Sequence, residues 1–252
     1  MAEFSRGCPT DTLADAFDKA HAIESRAARR EYYFKNLIVS RMIFGRHSPR
    51  TAAALLELRA GRSIADVVIL NGTSTAYEIK TDFDDFTRLP AQISDYAKAF
   101  ERVCVVVSSN RAQAAAAATP EWVGVTSVNR RGQMTEVRAA RGGLARITHR
   151  SLFGLLHRSE VLEVLAQSAG YEIDAPPARL WSRTLDVFSS LPIQDVQQGA
   201  VAQLALRGKR AASLAGSVPH SLRALAYDVP VSGPTRERII RRLEDKAESL
   251  LL

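Results

Sequence analysis

Two strand patterns around an Asn-Gly turn constrain the fold of this chain more than any other feature. Ile64 and the apolar run from Val67 to Leu70 precede Asn71-Gly72, and Tyr77 and Ile79 follow it. β-Branched and aromatic residues favour strands, and Asn-Gly favours the tight turn of a hairpin. The sequence therefore predicts two neighbouring strands of one sheet.

Helical segments and further strands surround this pair. Residues 11–46 contain no proline and one glycine, and residues 91–103 contain neither, so both segments are typical of helices. The apolar run VCVVVSS follows the second segment and is typical of a buried strand, and residues 120–140 indicate a last strand or hairpin. We therefore expect an α/β core, a mixed sheet flanked by helices, over residues 11–141. A mostly helical C-terminal region over residues 142–252 follows it.

Composition limits the classes of protein that the chain can belong to. Hydrophobic residues make up 46% and charged residues 24% of the 252 residues, which is typical of a globular protein. No apolar run is long enough to cross a membrane and the start does not resemble a signal peptide, so we expect a cytoplasmic protein without a membrane partner. Two cysteines exclude a disulfide framework and a cysteine-based zinc site. The net charge of +7 suits a polyanionic partner.

The predicted strand pair places acidic and basic side chains close together. Residues two apart on a strand point to the same side, so Glu78 and Lys80 share a face, and Asp66 lies one strand away. Two carboxylates and the Ile79 carbonyl offer the hard oxygen ligands that Mg²⁺ or Mn²⁺ prefers. Lys80 could then stabilise charge on a phosphate or orient a water.

These residues lie in motifs that resemble the PD-(D/E)XK nuclease superfamily. IADVVI followed by YEIK resembles its signature, with alanine in place of the common proline, and QISDY resembles the Q-x-x-x-Y element of the RecB-like and lambda-exonuclease-like branches. The resemblance implies a restriction-endonuclease-like fold in which Asp66, Glu78, Lys80 and Gln92 are catalytic. It also implies that Asp66 and Glu78 bind the metal and that Tyr96 lies close to the nucleic acid.

More narrowly, EYYFKN, GRHS and FERVCVVV resemble a small family of bacterial proteins of that superfamily. Members of the superfamily usually add an acidic ligand from the first helix. Glu31 is the candidate for this weaker metal ligand, and Glu24 and Glu57 are its rivals.

Other polar segments have weaker functional interpretations. Arg88 and His47 could contact phosphate, although a surface ion pair and a structural loop histidine are the plain alternatives. The acidic run from Asp82 to Asp85 is more typical of a solvated turn than of a second metal site. Arg130-Arg131 and the stretch from Arg207 to Arg210 could follow a DNA backbone, but short charge runs are usually solvated.

The function predicted from the sequence is metal-dependent hydrolysis of phosphodiester bonds in DNA by a Mg²⁺-dependent deoxyribonuclease, which could act as a homodimer. Two alternatives remain open at this point. One is a nucleic-acid-binding scaffold or regulator that retains the fold without turnover, and the other is a nuclease that acts on RNA.

Overall fold

The structure of the protein, a computed structural model, describes residues 11–27, 29–170, 176–229 and 231–247. Within these residues the chain forms one six-stranded sheet and ten α-helices. The strands are, in chain order, β1 (Ala53–Ala60), β2 (Ser63–Leu70), β3 (Ser74–Lys80), β4 (Arg102–Ser108), β5 (Gly124–Val128) and β6 (Met134–Arg138). The helices are α1 (Leu13–Ala27), α2 (Glu31–Arg41), α3 (Leu89–Ala97), α4 (Ala112–Ala117), α5 (His149–Leu155), α6 (Arg158–Ala169), α7 (Pro177–Ser190), α8 (Ile193–Ser217), α9 (Arg223–Asp228) and α10 (Gly233–Glu244). A π-helical turn, Met42–Arg46, extends α2.

The strands lie side by side in chain order, from β1 at one edge to β6 at the other. The three central strands β3, β4 and β5 are parallel, and the other neighbouring pairs are antiparallel. A parallel pair needs a crossover, which α3 supplies between β3 and β4 and α4 between β4 and β5. The run in β4 is continuously apolar because both of its faces are covered.

Two apolar layers cover the two faces of the sheet. Helices α3, α5, α6 and the first half of α8 pack on one face, around Tyr96 and Leu204. Helix α2, helix α9 and the end of α8 pack on the other face, around Phe34 and Leu214. The C-terminal helices therefore contribute side chains to both apolar layers, one on each face of the sheet.

Strands β1 and β2 change face together halfway along their length. Ala53 and Leu55 point to the first layer, as strict alternation requires, but the next residue of β1 in that layer is Leu58. Alternation breaks in the same way in β2, where Ala65 is followed by Val68. Glu57, at the break, has a positive φ of 51°, a conformation that L residues rarely adopt. Beyond the break, residues of both strands therefore point to the face of the sheet opposite to the one that strict alternation predicts.

Helix α8 passes from one layer to the other across the edge strand β1. It makes this crossing at Gly208, where a Cβ atom would lie 2.6 Å from the Ala54 carbonyl oxygen. Only glycine permits so close an approach of the helix to the strand. Helix α8, from the other end of the chain, thus lies directly against β1 at Ala53 and Ala54.

The predicted fold class is confirmed, because the sheet is mixed, helices flank it and the C-terminal region is helical. The hairpin at Asn71-Gly72 and the strand before Ser109 are also present. Strand β1 was not predicted, because its residues AALLELRA favour a helix. The boundary between residues 141 and 142 stays a prediction. Within the described residues, no helix is both long and apolar enough to pass through a membrane.

Candidate functional site

A buried polar network joins β3 to α3. The Lys80 Nζ lies 2.8 Å from Glu78 Oε1 and donates a 2.9 Å hydrogen bond to Gln92 Oε1. The Gln92 amide nitrogen in turn donates to Glu78 Oε1 at 2.6 Å. Glu78 and Lys80 are only 2% and 4% exposed, so each charge depends on the other for compensation. The three side chains form a closed triangle.

Tyr96 completes the network and lies on α3 four residues after Gln92. Its hydroxyl lies 2.7 Å from Glu78 Oε2 and 2.6 Å from the Ile64 carbonyl oxygen, so its single proton serves two acceptors. Burial, with the Glu78 charge as a second cause, raises the pKa of the Tyr96 phenol, which therefore stays protonated. The ring is fully buried and presents no face to a nucleic acid.

Asp66 lies next to this network at the break in β2. Its Oδ2 accepts a 2.6 Å hydrogen bond from the backbone N–H of Ile79. Burial raises the pKa of the Asp66 carboxyl to about 7, and the Glu78 charge adds to the effect. Lys80 pairs with Glu78, and so Asp66 is left with the weaker influence of Lys35 as its cationic compensation.

The Asp66 carboxylate also lies close to two glutamates that are not part of the network. Oxygen atoms of Glu31, Glu57 and Asp66 lie within 4.8 Å of one another. Lys35, on α2, forms ion pairs with both Glu31 and Glu57. The unusual backbone of Glu57 aims its side chain into this group. We name Glu31, Glu57 and Asp66 the acidic triad.

Hard carboxylate oxygens at this spacing fit a divalent cation in their chemistry. Asp66 lies beside Glu31, the predicted first-helix candidate, and beside Glu57, one of its two rivals. Glu78, the second predicted ligand, is instead held by Lys80 and Gln92 in the network. Sequence reasoning missed Lys35, whose only signal is its position four residues after Glu31 on a helix.

Among the described residues, the remaining predicted ones are not hydrogen-bonded to the network. Arg88 precedes α3 and lines the same cleft as the network, which has a volume of about 760 Å³. His47 Nε2 lies 2.9 Å from the Asn71 amide nitrogen and so ties the π-helical turn to the β2–β3 hairpin. Asp84 Oδ2 accepts a 2.7 Å hydrogen bond from the Thr81 N–H within a turn. Arg207 pairs with Glu160 rather than facing solvent with the rest of its charge run.

Comparison with known proteins identifies the family. A model of the family described as bacteriophage P4 protein cII matches residues 24–218, which is more than half of the chain. The chain belongs to the bacteriophage P4 protein cII family. Protein cII of Enterobacteria phage P4 is 29% identical over 105 residues, which are 41% of this chain and 40% of that protein. The aligned segment is thus less than half of that relative. No solved structure matches the chain significantly.

Membership of the cII family corrects the interpretation drawn from the motifs. The assignment to the PD-(D/E)XK superfamily is wrong, and with it the predicted DNA hydrolysis, the deoxyribonuclease and the RNA-directed nuclease. The physical reason is that a few polar residues at short spacing are a weak signature. Glu78, Lys80, Gln92 and Tyr96 do meet, but as a network whose charges and hydrogen bonds compensate one another.

The segment that matches the cII family contains the whole candidate site. Residues 24–218 include the acidic triad, the network around Glu78 and helix α8 with its crossing at Gly208. Helix α10 lies beyond the matched segment.

Proposed function

We propose that this cII-family protein is a DNA-binding regulatory protein that does not hydrolyse DNA. The observation that carries the proposal is an arginine face on α10. Arg238, Arg241 and Arg242 are exposed at positions three and four apart, so they lie on one side of this helix. The opposite side holds the buried Leu243 and the partly buried Ile239 and Ile240.

The end of α8 extends this face. The Arg236 guanidinium donates a 3.3 Å hydrogen bond to the Arg210 carbonyl oxygen, which joins the two helices. Lys209 and Arg210 are exposed on α8. We name Lys209, Arg210, Arg238, Arg241 and Arg242 the basic surface. Asp245, 3.0 Å from Arg242, offsets part of its charge.

DNA binding depends chiefly on cationic side chains that replace counterions along the phosphates. A helix of 12 residues is about 18 Å long, and B-DNA admits an α-helix into its major groove. The basic surface has the charge and the length for such a contact. A homodimer would present two copies of it, and we include that assembly and a cytoplasmic location in the proposal.

The cleft at the network is a poorer place for a phosphate backbone. Among the described residues that line it, six carboxylates outnumber three cationic side chains, so its field repels anions. Contacts of DNA with Arg88, which lines this cleft, therefore receive less support than contacts with the basic surface. The same holds for Tyr96, which is fully buried, and for His47, which is paired with Asn71.

A divalent cation remains part of the proposal as a separate feature. Glu31, Glu57 and Asp66 would hold Mg²⁺ or Mn²⁺ through their oxygens, in competition with the Lys35 ammonium. The bound ion would supply positive charge that links α2 to the β1–β2 pair.

The test is binding of a fluorescent duplex of about 25 base pairs at two salt concentrations, followed by fluorescence anisotropy. Reversing two charges of the basic surface, R238E/R241E, should weaken binding by at least about tenfold and reduce its salt dependence. The matched control is R150E/R158E, which changes the net charge equally at two exposed arginines on α5 and α6.

The same duplex incubated with wild-type protein and Mg²⁺ should be recovered intact on a denaturing gel. Equal weakening by both double variants would show that binding follows net charge and not this surface. Metal-dependent cleavage that co-purifies with the protein would overturn the regulatory proposal itself.

A further inference from the structure

A second cleft lies on the opposite face of the sheet from Glu78. Thr75 and Tyr77 line it from β3, where they alternate with the residues that point towards the network, and Thr126 lines it from β5. The π-helical turn and β6 form its walls. Its volume is about 290 Å³, at the lower end of the size of small-molecule sites.

Two arginines give this cleft a positive charge. Arg46 comes from the π-helical turn and Arg102 from the start of β4, and both are exposed. Within the part of the chain that the structure describes, neither guanidinium forms an ion pair. Arg138 also lines the cleft, but its guanidinium donates to the Val123 and Ala116 carbonyls. Arg46 and Arg102 are thus the cations available to a ligand.

The Tyr77 hydroxyl lies within electrostatic reach of both cations. Burial raises the pKa of the Tyr77 phenol, and Arg46 and Arg102 both act in the opposite direction. The phenol therefore stays protonated as a hydrogen-bond donor among positive charges. Cys104 forms part of the lining, with its Sγ 3.3 Å from Thr126 Oγ1, and burial raises the pKa of its thiol to about 11. A protonated thiol adds no negative charge to the cleft.

Paired guanidinium groups and hydroxyl donors are the usual partners of a phosphate. Two further features define the rest of the ligand. Glu136 offers a carboxylate that can accept from hydroxyl or amino groups, and Met42 and Met134 offer adaptable apolar surface. The volume is too small for a duplex but suits a single phosphorylated unit.

We propose that this cleft binds a small phosphomonoester with hydroxyl or amino donors, of the class of nucleoside monophosphates. Arg46 and Arg102 hold the phosphate, Tyr77 and Thr75 donate to it, and Glu136 accepts from the sugar or base. Because Arg46 ends the π-helical turn that extends α2, the ligand would link this segment to β3 and β4. The site is separate from the basic surface, so its failure would leave the DNA-binding proposal untouched.

Isothermal titration calorimetry with AMP, GMP, CMP and UMP tests the proposal, with adenosine and inorganic phosphate as the partial ligands. At least one monophosphate should bind saturably, adenosine should not bind, and inorganic phosphate should compete weakly. R46Q/R102Q should reduce the affinity at least about tenfold, while the matched pair R50Q/R150Q, also exposed, leaves it unchanged.

Glu136→Gln separates the two halves of the ligand. It should weaken binding of the monophosphate and leave that of inorganic phosphate unchanged or stronger, because only the former uses the carboxylate. Saturable binding by none of the monophosphates would overturn the proposal. So would an affinity that R46Q/R102Q leaves unchanged in a protein whose thermal unfolding is that of the wild type.

Discussion

Asp66 accepts a hydrogen bond from the backbone N–H of Ile79 at 2.6 Å, yet the pKa of its carboxyl is raised to about 7. One N–H donor stabilises the charged form, but burial and the neighbouring Glu78 oppose it more strongly. The carboxyl therefore takes up a proton in the folded protein at a pH where the unfolded chain has lost it.

The first prediction concerns stability against pH. Because the pKa of Asp66 is higher in the folded state than its ordinary 3.8, the folded state binds more protons between about pH 4 and 7. The contribution of Asp66 to stability is fully present below pH 4 and is lost as the pH rises towards 7. The free energy of unfolding, measured with urea in the presence of EDTA, should fall across this range in the wild type. In D66N this part of the fall should be absent. The exposed D186N should retain it, and a D66N profile parallel to that of the wild type would contradict the assignment.

Lys80 supports the fold through Glu78. Lys80→Met leaves a buried carboxylate without its partner, so we expect the free energy of unfolding to fall by about 3 to 5 kcal/mol. E78Q/K80M removes both charges and should recover part of that loss, which a double-mutant cycle measures. Additive effects of the two single changes would show that the pair does not couple.

The acidic triad gives a test of metal binding that needs no activity. If Mg²⁺ or Mn²⁺ binds there, thermal unfolding should shift upwards saturably with the ion, beyond the effect of NaCl at equal ionic strength. K35M removes the competing ammonium and should strengthen the shift, whereas E31Q/E57Q should abolish it. A shift that survives E31Q/E57Q would place the ion elsewhere.

At Gly208, helix α8 packs directly against β1. Gly208→Ala sets a Cβ 2.6 Å from the Ala54 carbonyl oxygen and 3.0 Å from Ala53 Cβ, so helix and strand must separate. We expect a loss of about 1 to 3 kcal/mol in chemical unfolding. Gly216→Ala, in the same helix with no atom within 4 Å, should instead stabilise by up to about 1 kcal/mol. Equal effects at the two positions would show that the contact does not matter.

The features of this fold that depend on residues close together in the chain could be predicted from the sequence. The β2–β3 hairpin follows from its turn residues, and the meeting of Glu78 and Lys80 follows from their spacing. Strand β1 could not be predicted, because its alanines, leucines and Glu57 favour a helix and only pairing with β2 makes them extended.

The role of the site was harder to predict than its position. Which carboxylate Lys80 would pair with depends on the packing of α3, and the position of Lys35 depends on how α2 lies against β1. Neither contact leaves a mark in the sequence beyond the residue types. The same set of polar residues is therefore compatible with a reactive site and with a compensated network.

Because α8 lies directly against β1 at Ala53 and Ala54, this edge of the sheet is obstructed there to strand addition by another molecule. Within the described residues no strand pairs with the outer side of β6. If a second copy added a strand at β6, the contact of α8 with β1 would hinder a third copy from adding at the opposite edge. Association through the sheet would then favour two chains over a growing fibre.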